Sequence, residues 1–88
     1  MVEIEVTITN KLGLHARPAA KLVQVASKFV SDIMLKKENL EVNAKSIMGV
    51  MMLAAEMGSR LIIRADGPDE KKAAKAVADV FELRFGEE

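Results

Sequence analysis

The chain has 88 residues, half of them apolar, with 13 basic and 13 acidic side chains that cancel to zero net charge. That length predicts one domain, residues 1–88, built on one modest core. The absence of cysteine excludes disulfides and thiolate chemistry, and with a lone histidine it argues against a structural zinc site, so no metal or other cofactor is expected. Three phenylalanines without Tyr or Trp offer little stacking surface to a nucleic acid. The opening MVEIEVTITN alternates with acids instead of reading as a signal peptide, and no apolar run is long enough to span a membrane. A cytoplasmic protein with neither nucleic-acid nor membrane partners is the expectation.

Residues 2–9 predict a strand. Val2, Ile4, Val6 and Ile8 alternate with Glu3, Glu5, Thr7 and Thr9, the period of a half-exposed sheet. Asn10 to Gly13 reads as a loop. Proline is tolerated in the first turn of a helix, where its missing N–H would have no intrahelical partner, so Pro18 places a helix start near Ala16 with His15 at its N-cap. That helix is predicted over 16–29. Ala19, Leu22, Val23, Ala26 and Phe29–Val30 fall on its apolar stripe, and Arg17, Lys21, Gln24 and Lys28 on the other.

Residues 32–37 and 40–43 predict a hairpin that turns at 37–39. Ser46 then caps a short helix from Ile47 to about Leu53, with Gly49 as a weak point inside it. Glu56 to Ser59 reads as a turn and Leu61–Ala65 as a strand. Asp66 to Glu70 starts a last helix, with Pro68 early and acids in the first turn. Ala73, Ala74, Val77, Val80 and Phe81 mark its buried face, and it runs to about Phe85. The order βαββαβα predicts an α+β open-faced β-sandwich, a four-stranded antiparallel sheet with three helices on one face. Glu3, Glu5, Lys36 and Arg64 fit its solvated face.

The lone histidine carries the chemistry. It sits in Gly13-Leu14-His15-Ala16-Arg17-Pro18, so an imidazole, an arginine and the N–H groups of a helix end meet within four residues. Such a helix end favours anions. The charge pattern agrees: no Asp or Glu lies between Val6 and Ser31, a window that holds Lys11, Arg17, Lys21 and Lys28. A second acid-free window, Val42 to Ala55, holds Lys45. A positive field inside a neutral protein favours anionic ligands and acidic partner surfaces. The combination suits a phosphohistidine, against the plainer reading of a polar N-cap with no chemistry.

Residues 13–19, Gly-Leu-His-Ala-Arg-Pro-Ala, resemble the signature of the histidine-containing phosphocarrier proteins, the HPr family. Asn43-Ala44-Lys45-Ser46-Ile47-Met48-Gly49-Val50-Met51 resembles that family's regulatory serine segment. The spacing of the two, the length and the Gly67-Pro68 helix start agree, so the resemblance covers essentially the whole chain. It implies a phosphocarrier, not an enzyme, in the phosphoenolpyruvate-dependent sugar phosphotransferase system. His15 would take a phosphoryl group on Nδ1 from enzyme I and pass it to the enzyme IIA component of a sugar permease. Arg17, and the backbone N–H groups of Ala16 and Arg17, would stabilise the phosphoryl oxygens.

The resemblance also implies phosphorylation of Ser46 by an ATP-dependent HPr kinase/phosphorylase, and in some bacteria a catabolite-control transcription regulator as partner of that form. Ile47, Met48 and Met51 would dock enzyme I and enzyme IIA, and Met52 and Leu14 would extend the patch. One position departs from the family: Leu12 stands where many members have Ser or Thr, which adds apolar surface and removes a hydroxyl. A monomer is expected. The second reading is a regulatory phosphoprotein, a nitrogen-related or catabolite-control relative that acts by protein binding; the Ser46 segment and the presence of His15 favour the sugar branch.

Overall fold

The computed structural model describes residues 1–86. Its elements run β1 (Val2–Thr7), α1 (Ala16–Ala26), β2 (Asp32–Lys37), β3 (Leu40–Asn43), α2 (Ile47–Met52), β4 (Arg60–Asp66) and α3 (Glu70–Glu82), followed by a 3-10 turn at Arg84–Gly86. The four strands form one antiparallel sheet in the order β1-β4-β2-β3. β4 lies inside the sheet, with Ile63 opposite Ile4 on one side and Leu35 on the other. The α+β open sandwich expected from the element order is the observed architecture.

The period-two pattern decides which face is covered. Ile33, Leu35, Leu61, Ile63 and Ala65 have no exposed surface and meet Leu22 of α1 and Val77 of α3, which are equally buried. α1 and α3 pack on each other, α3 lies over β1 and β4, and α2 bridges β3 and α1. The opposite face is solvated. There Arg64 faces Glu3 across the β1–β4 pair and holds it at 3.1 Å, with Glu41 at 2.8 Å from its other side. Opposite charges facing each other on a sheet contribute roughly 0.2–1 kcal/mol each.

Three elements end two or more residues short of the sequence reading, while β4 runs one residue further at each end. β1 stops at Thr7, not at residue 9, yet Ile8 stays buried because its N–H donates to the Ser59 carbonyl (2.9 Å) and its carbonyl accepts from Gly58 N–H (2.7 Å). α1 stops at Ala26, and a turn closes where Lys28 N–H donates to Val25 (3.2 Å) and Phe29 N–H to Ala26 (3.2 Å). Val30, expected on the buried stripe, is therefore exposed. α3 ends at Glu82, and Arg84 and Phe85 adopt positive φ (53° and 57°). That reversal brings the Phe85 ring back edge-on to Phe81, with centroids 5.0 Å apart, so the aromatic contact outweighs helix continuation.

Asp69 shows why α1 breaks where it does. It occupies the N-cap of α3 but makes no side-chain bond to its own helix. Its carboxylate instead accepts from the N–H groups of Val30 (3.0 Å) and Ser31 (2.9 Å) and from the Ser31 hydroxyl. Led by the Ser31 hydroxyl, these donors lower its pKa to about 2, from an ordinary value of 3.8. A carboxylate held below its unfolded value stabilises the fold above that value, and the contribution is lost as pH falls through the folded one. Asp69→Asn is therefore expected to lower the melting temperature at pH 7, with the gap to wild type closing between about pH 4 and pH 2. Thermal unfolding followed across that range checks it; a gap that does not change with pH would show that ionisation contributes nothing.

Candidate functional site

The residues before His15 fix its position. Asn10 is fully buried, and its side-chain amide donates to the Gly13 carbonyl at 2.8 Å. Gly13 N–H closes the loop on the Asn10 carbonyl (3.3 Å), and Leu14 N–H donates to the Ala55 carbonyl (2.9 Å). Gly13 lies at φ +68°, and a Cβ there would stand 2.4 Å from the Ala55 oxygen. Only glycine reaches that conformation and that approach at low cost. The loop is thus pressed against the segment that follows α2, which brings the start of α1 and the methionine helix to one end of the molecule. Sequence reasoning misses Asn10 as a site residue; an asparagine three positions before a turn glycine is the local signal for it.

His15 is the N-cap of α1 and has extended backbone (φ −81°, ψ −172°). Its carbonyl accepts the first helical bond, from Ala19 N–H at 3.0 Å. Ala16 and Arg17 therefore occupy the first two helical positions, whose N–H groups precede the intrahelical ladder. Pro18 is buried in the same turn, where it has no N–H to lose. The imidazole is half-buried, with Nε2 shut off from solvent, while Arg17 is exposed.

Ser46 caps α2 as expected: its hydroxyl oxygen accepts from Gly49 N–H at 3.1 Å. Gly49 does not interrupt the helix, and a Cβ there would meet Ser46 and the Asn43 carbonyl at 3.4 Å. Two lysines hold the helix in place. Lys37 donates to the Leu53 carbonyl at its C-terminal end (3.2 Å), and Lys45 ties its approach to the Phe29 carbonyl beyond α1 (2.7 Å). Lys45 thus has a structural bond as well as a charge.

Val50 is the one buried side chain of α2. Met48 is 74% exposed and Met52 66%, with Ile47 and Met51 each above 40%. Leu14 corrects the sequence reading. The expectation that it extends this apolar patch fails, because only 4% of it is exposed and its N–H bond to Ala55 seats it in the core. Leu12, 75% exposed, supplies the apolar surface of that loop instead.

The packing of α1 on α2 joins the two acid-free windows of the sequence. Lys11, Arg17, Lys21 and Lys28 are all exposed along the first of them. Among the described residues no group of three or more His, Cys, Asp or Glu side chains could hold a metal ion, and no helix is long and apolar enough to cross a membrane.

A half-buried histidine at a helix N-terminus, an arginine two residues on and an exposed apolar helix packed on the same unit are the arrangement that the resemblance to the phosphocarrier class implies. Comparison with known proteins gives the family. Residues 2–82 match the family described as the HPr component phosphorylation site of the phosphotransferase system. The phosphocarrier protein HPr of Xylella fastidiosa (strain Temecula1) is 57% identical over 88 residues, which cover 100% of this chain and 99% of that one. A crystal structure of HPr from Thermoanaerobacter tengcongensis superposes with a TM-score of 0.96 at 53% identity, covering 100% of this chain and 99% of that chain. A crystal structure of an HPr dimer from the same organism gives a TM-score of 0.80 at 53% identity, covering 99% and 100%. The chain belongs to the HPr family of phosphotransferase-system phosphocarriers.

Proposed function

We propose that this chain, acting as a monomer over residues 1–88, accepts a phosphoryl group from phospho-enzyme I on His15 and passes it to enzyme IIA components of sugar permeases. The observation that carries the reading is the placement of His15: an imidazole at the first turn of α1, with Arg17 two residues on and the apolar face of α2 at the same end. Imidazole is a neutral nucleophile near neutral pH. Attack by Nδ1 is what the family resemblance implies, and the burial of Nε2 away from solvent supports it. Its lone pair forms the N–P bond as the bond from phosphorus to the donor breaks, and transfer onward reverses the step. The N–H groups of Ala16 and Arg17 and the Arg17 guanidinium stabilise the phosphoryl oxygens. Such transfer rests on positioning and charge stabilisation, so no acid or base residue is required.

Docking falls to Ile47, Met48, Met51 and Met52. Ser46, the residue before Ile47, is the regulatory site on this reading. A phosphate there adds roughly −1.5 to −2 charges at the start of the docking helix. The helix end tolerates that charge, while an acidic partner is repelled. The kinase/phosphorylase that writes this mark and a catabolite-control regulator that reads it are the further partners.

The test is incubation with enzyme I, phosphoenolpyruvate and magnesium, the last required by enzyme I. The protein is expected to gain one phosphate that is labile in acid and stable in base. Failure to gain it defeats the reading. Met48→Asp is expected to weaken enzyme I binding by about 2 kcal/mol, roughly 30-fold, because an unpaired carboxylate enters an apolar contact. Its melting temperature should stay near wild type, since the side chain is exposed. Titration calorimetry decides: unchanged affinity would remove Met48 from the docking surface.

A further inference from the structure

The chain has no cysteine, so methionine thioethers are its only oxidisable sulfur. Three of its six methionines stand on one six-residue helix, and all three are exposed: Met48, Met51 and Met52. The others are placed differently. Met34 is half-buried on the solvated sheet face, and the Met1 sulfur accepts from Arg64 at 3.2 Å. Met57 is exposed in the loop after α2, outside the helix. Met1 and Met57 are also exposed, but singly; the one cluster of exposed methionines coincides with the surface assigned above to partner docking.

We propose that Met48, Met51 and Met52 are modification sites for hydroperoxides, and that their oxidation lowers the affinity of this chain for enzyme I. The inference rests on the docking role of α2. In each event a thioether sulfur donates an electron pair to a peroxide oxygen as the O–O bond breaks. The sulfur is oxidised to a sulfoxide, and hydrogen peroxide is reduced to water. The sulfoxide is polar where the thioether was apolar, and the change is reversible by methionine sulfoxide reductases. Burying that new dipole in an apolar contact without a partner costs binding. The fold is spared, because Val50, the one buried side chain of the helix, carries no sulfur, and the Lys37 and Lys45 bonds that hold the helix in place do not involve methionine.

The experiment treats the purified protein with hydrogen peroxide, removes the oxidant with catalase, and then adds untreated enzyme I. Mass spectrometry should find added oxygen at Met48, Met51 and Met52, and affinity should fall about ten-fold or more. A sulfoxide reductase with dithiothreitol should restore it. The triple variant Met48→Leu, Met51→Leu, Met52→Leu keeps an apolar, helix-compatible surface. Measured against its own affinity for enzyme I before treatment, it should lose none after treatment. Unchanged binding by the oxidised wild type, or an equal loss in the triple variant, overturns the proposal. If Met48→Asp also leaves binding unchanged, the docking reading itself has failed. If Met48→Asp weakens binding and oxidation does not, only the oxidation proposal fails.

Discussion

His15→Ala is expected to accept no phosphate from phospho-enzyme I while retaining the fold. The sequence has no second histidine, so no other imidazole stands in for it. A phosphate on one of its hydroxyls would be told apart from the carrier phosphate, because phosphoserine and phosphothreonine are stable to acid. The fold should survive because the cap of α1 rests on backbone: the residue 15 carbonyl accepts from Ala19 N–H whatever the side chain, and the His15 side chain makes no capping bond. The loss of a polar N-cap costs at most about 0.5–2 kcal/mol. Intact-mass measurement after incubation with enzyme I and phosphoenolpyruvate checks the loss, and circular dichroism checks the fold. An acid-labile phosphate on the variant would remove His15 from the carrier role.

Gly13→Ala carries a large expected cost to stability. Two penalties coincide there. An L-residue at φ +68° pays about 1–2 kcal/mol, and a methyl 2.4 Å from the Ala55 oxygen forces two backbone segments apart, at about 1–3 kcal/mol. Together they amount to roughly 2–5 kcal/mol, a large fraction of what a small domain has. The damage falls on function as well, because the Gly13 loop sets the start of α1 against the end of α2. Denaturant unfolding should show a much lower midpoint. In the fraction that stays folded, phosphate uptake at His15 should be slower than in wild type. A midpoint within the spread of repeat measurements would mean that the loop relaxes at little cost. Gly58 is also at positive φ, but a methyl added there would meet nothing within 4 Å, so Gly58→Ala is the control for the backbone penalty alone.

Most of the architecture is legible in the sequence because it rests on periodicity. The alternation in β1 and β4 and the stripes of α1 and α3 each specify one buried face, and a sheet with helices on one side is the arrangement that buries them all. Pro18 marks the first turn of α1, and Ser46 marks the cap of α2. The element ends are less legible, because contacts distant in sequence decide them. α1 stops short of Phe29 where the chain turns toward the Asp69 carboxylate, 38 and 39 positions from its donors Ser31 and Val30. α3 stops because Phe85 turns back onto Phe81.

The site follows the same division. His15, Arg17 and Ser46 lie in local motifs that place them at helix starts, and the structure puts them there. The approach of α2 to the His15 loop is a tertiary fact: in the sequence Asn10 and Gly13 signal a turn but not what it packs against, and the Ala55 carbonyl signals nothing. Leu14 shows the limit most clearly. Between an exposed Leu12 and a half-buried His15, its side chain has no periodic pattern to say that it faces inward.

The carrier account requires that the phosphoryl group leave as readily as it arrives, and one measurement addresses this. The protein is phosphorylated with radiolabelled phosphoenolpyruvate, separated from enzyme I, and mixed with a purified enzyme IIA. The account predicts that the label moves to enzyme IIA within the mixing time of a manual assay, and that Met48→Asp slows the movement. Label that stays on this chain in the presence of active enzyme IIA proteins, while Nδ1 of His15 is shown to hold it, would contradict the carrier role and leave a protein that reports phosphorylation without passing it on.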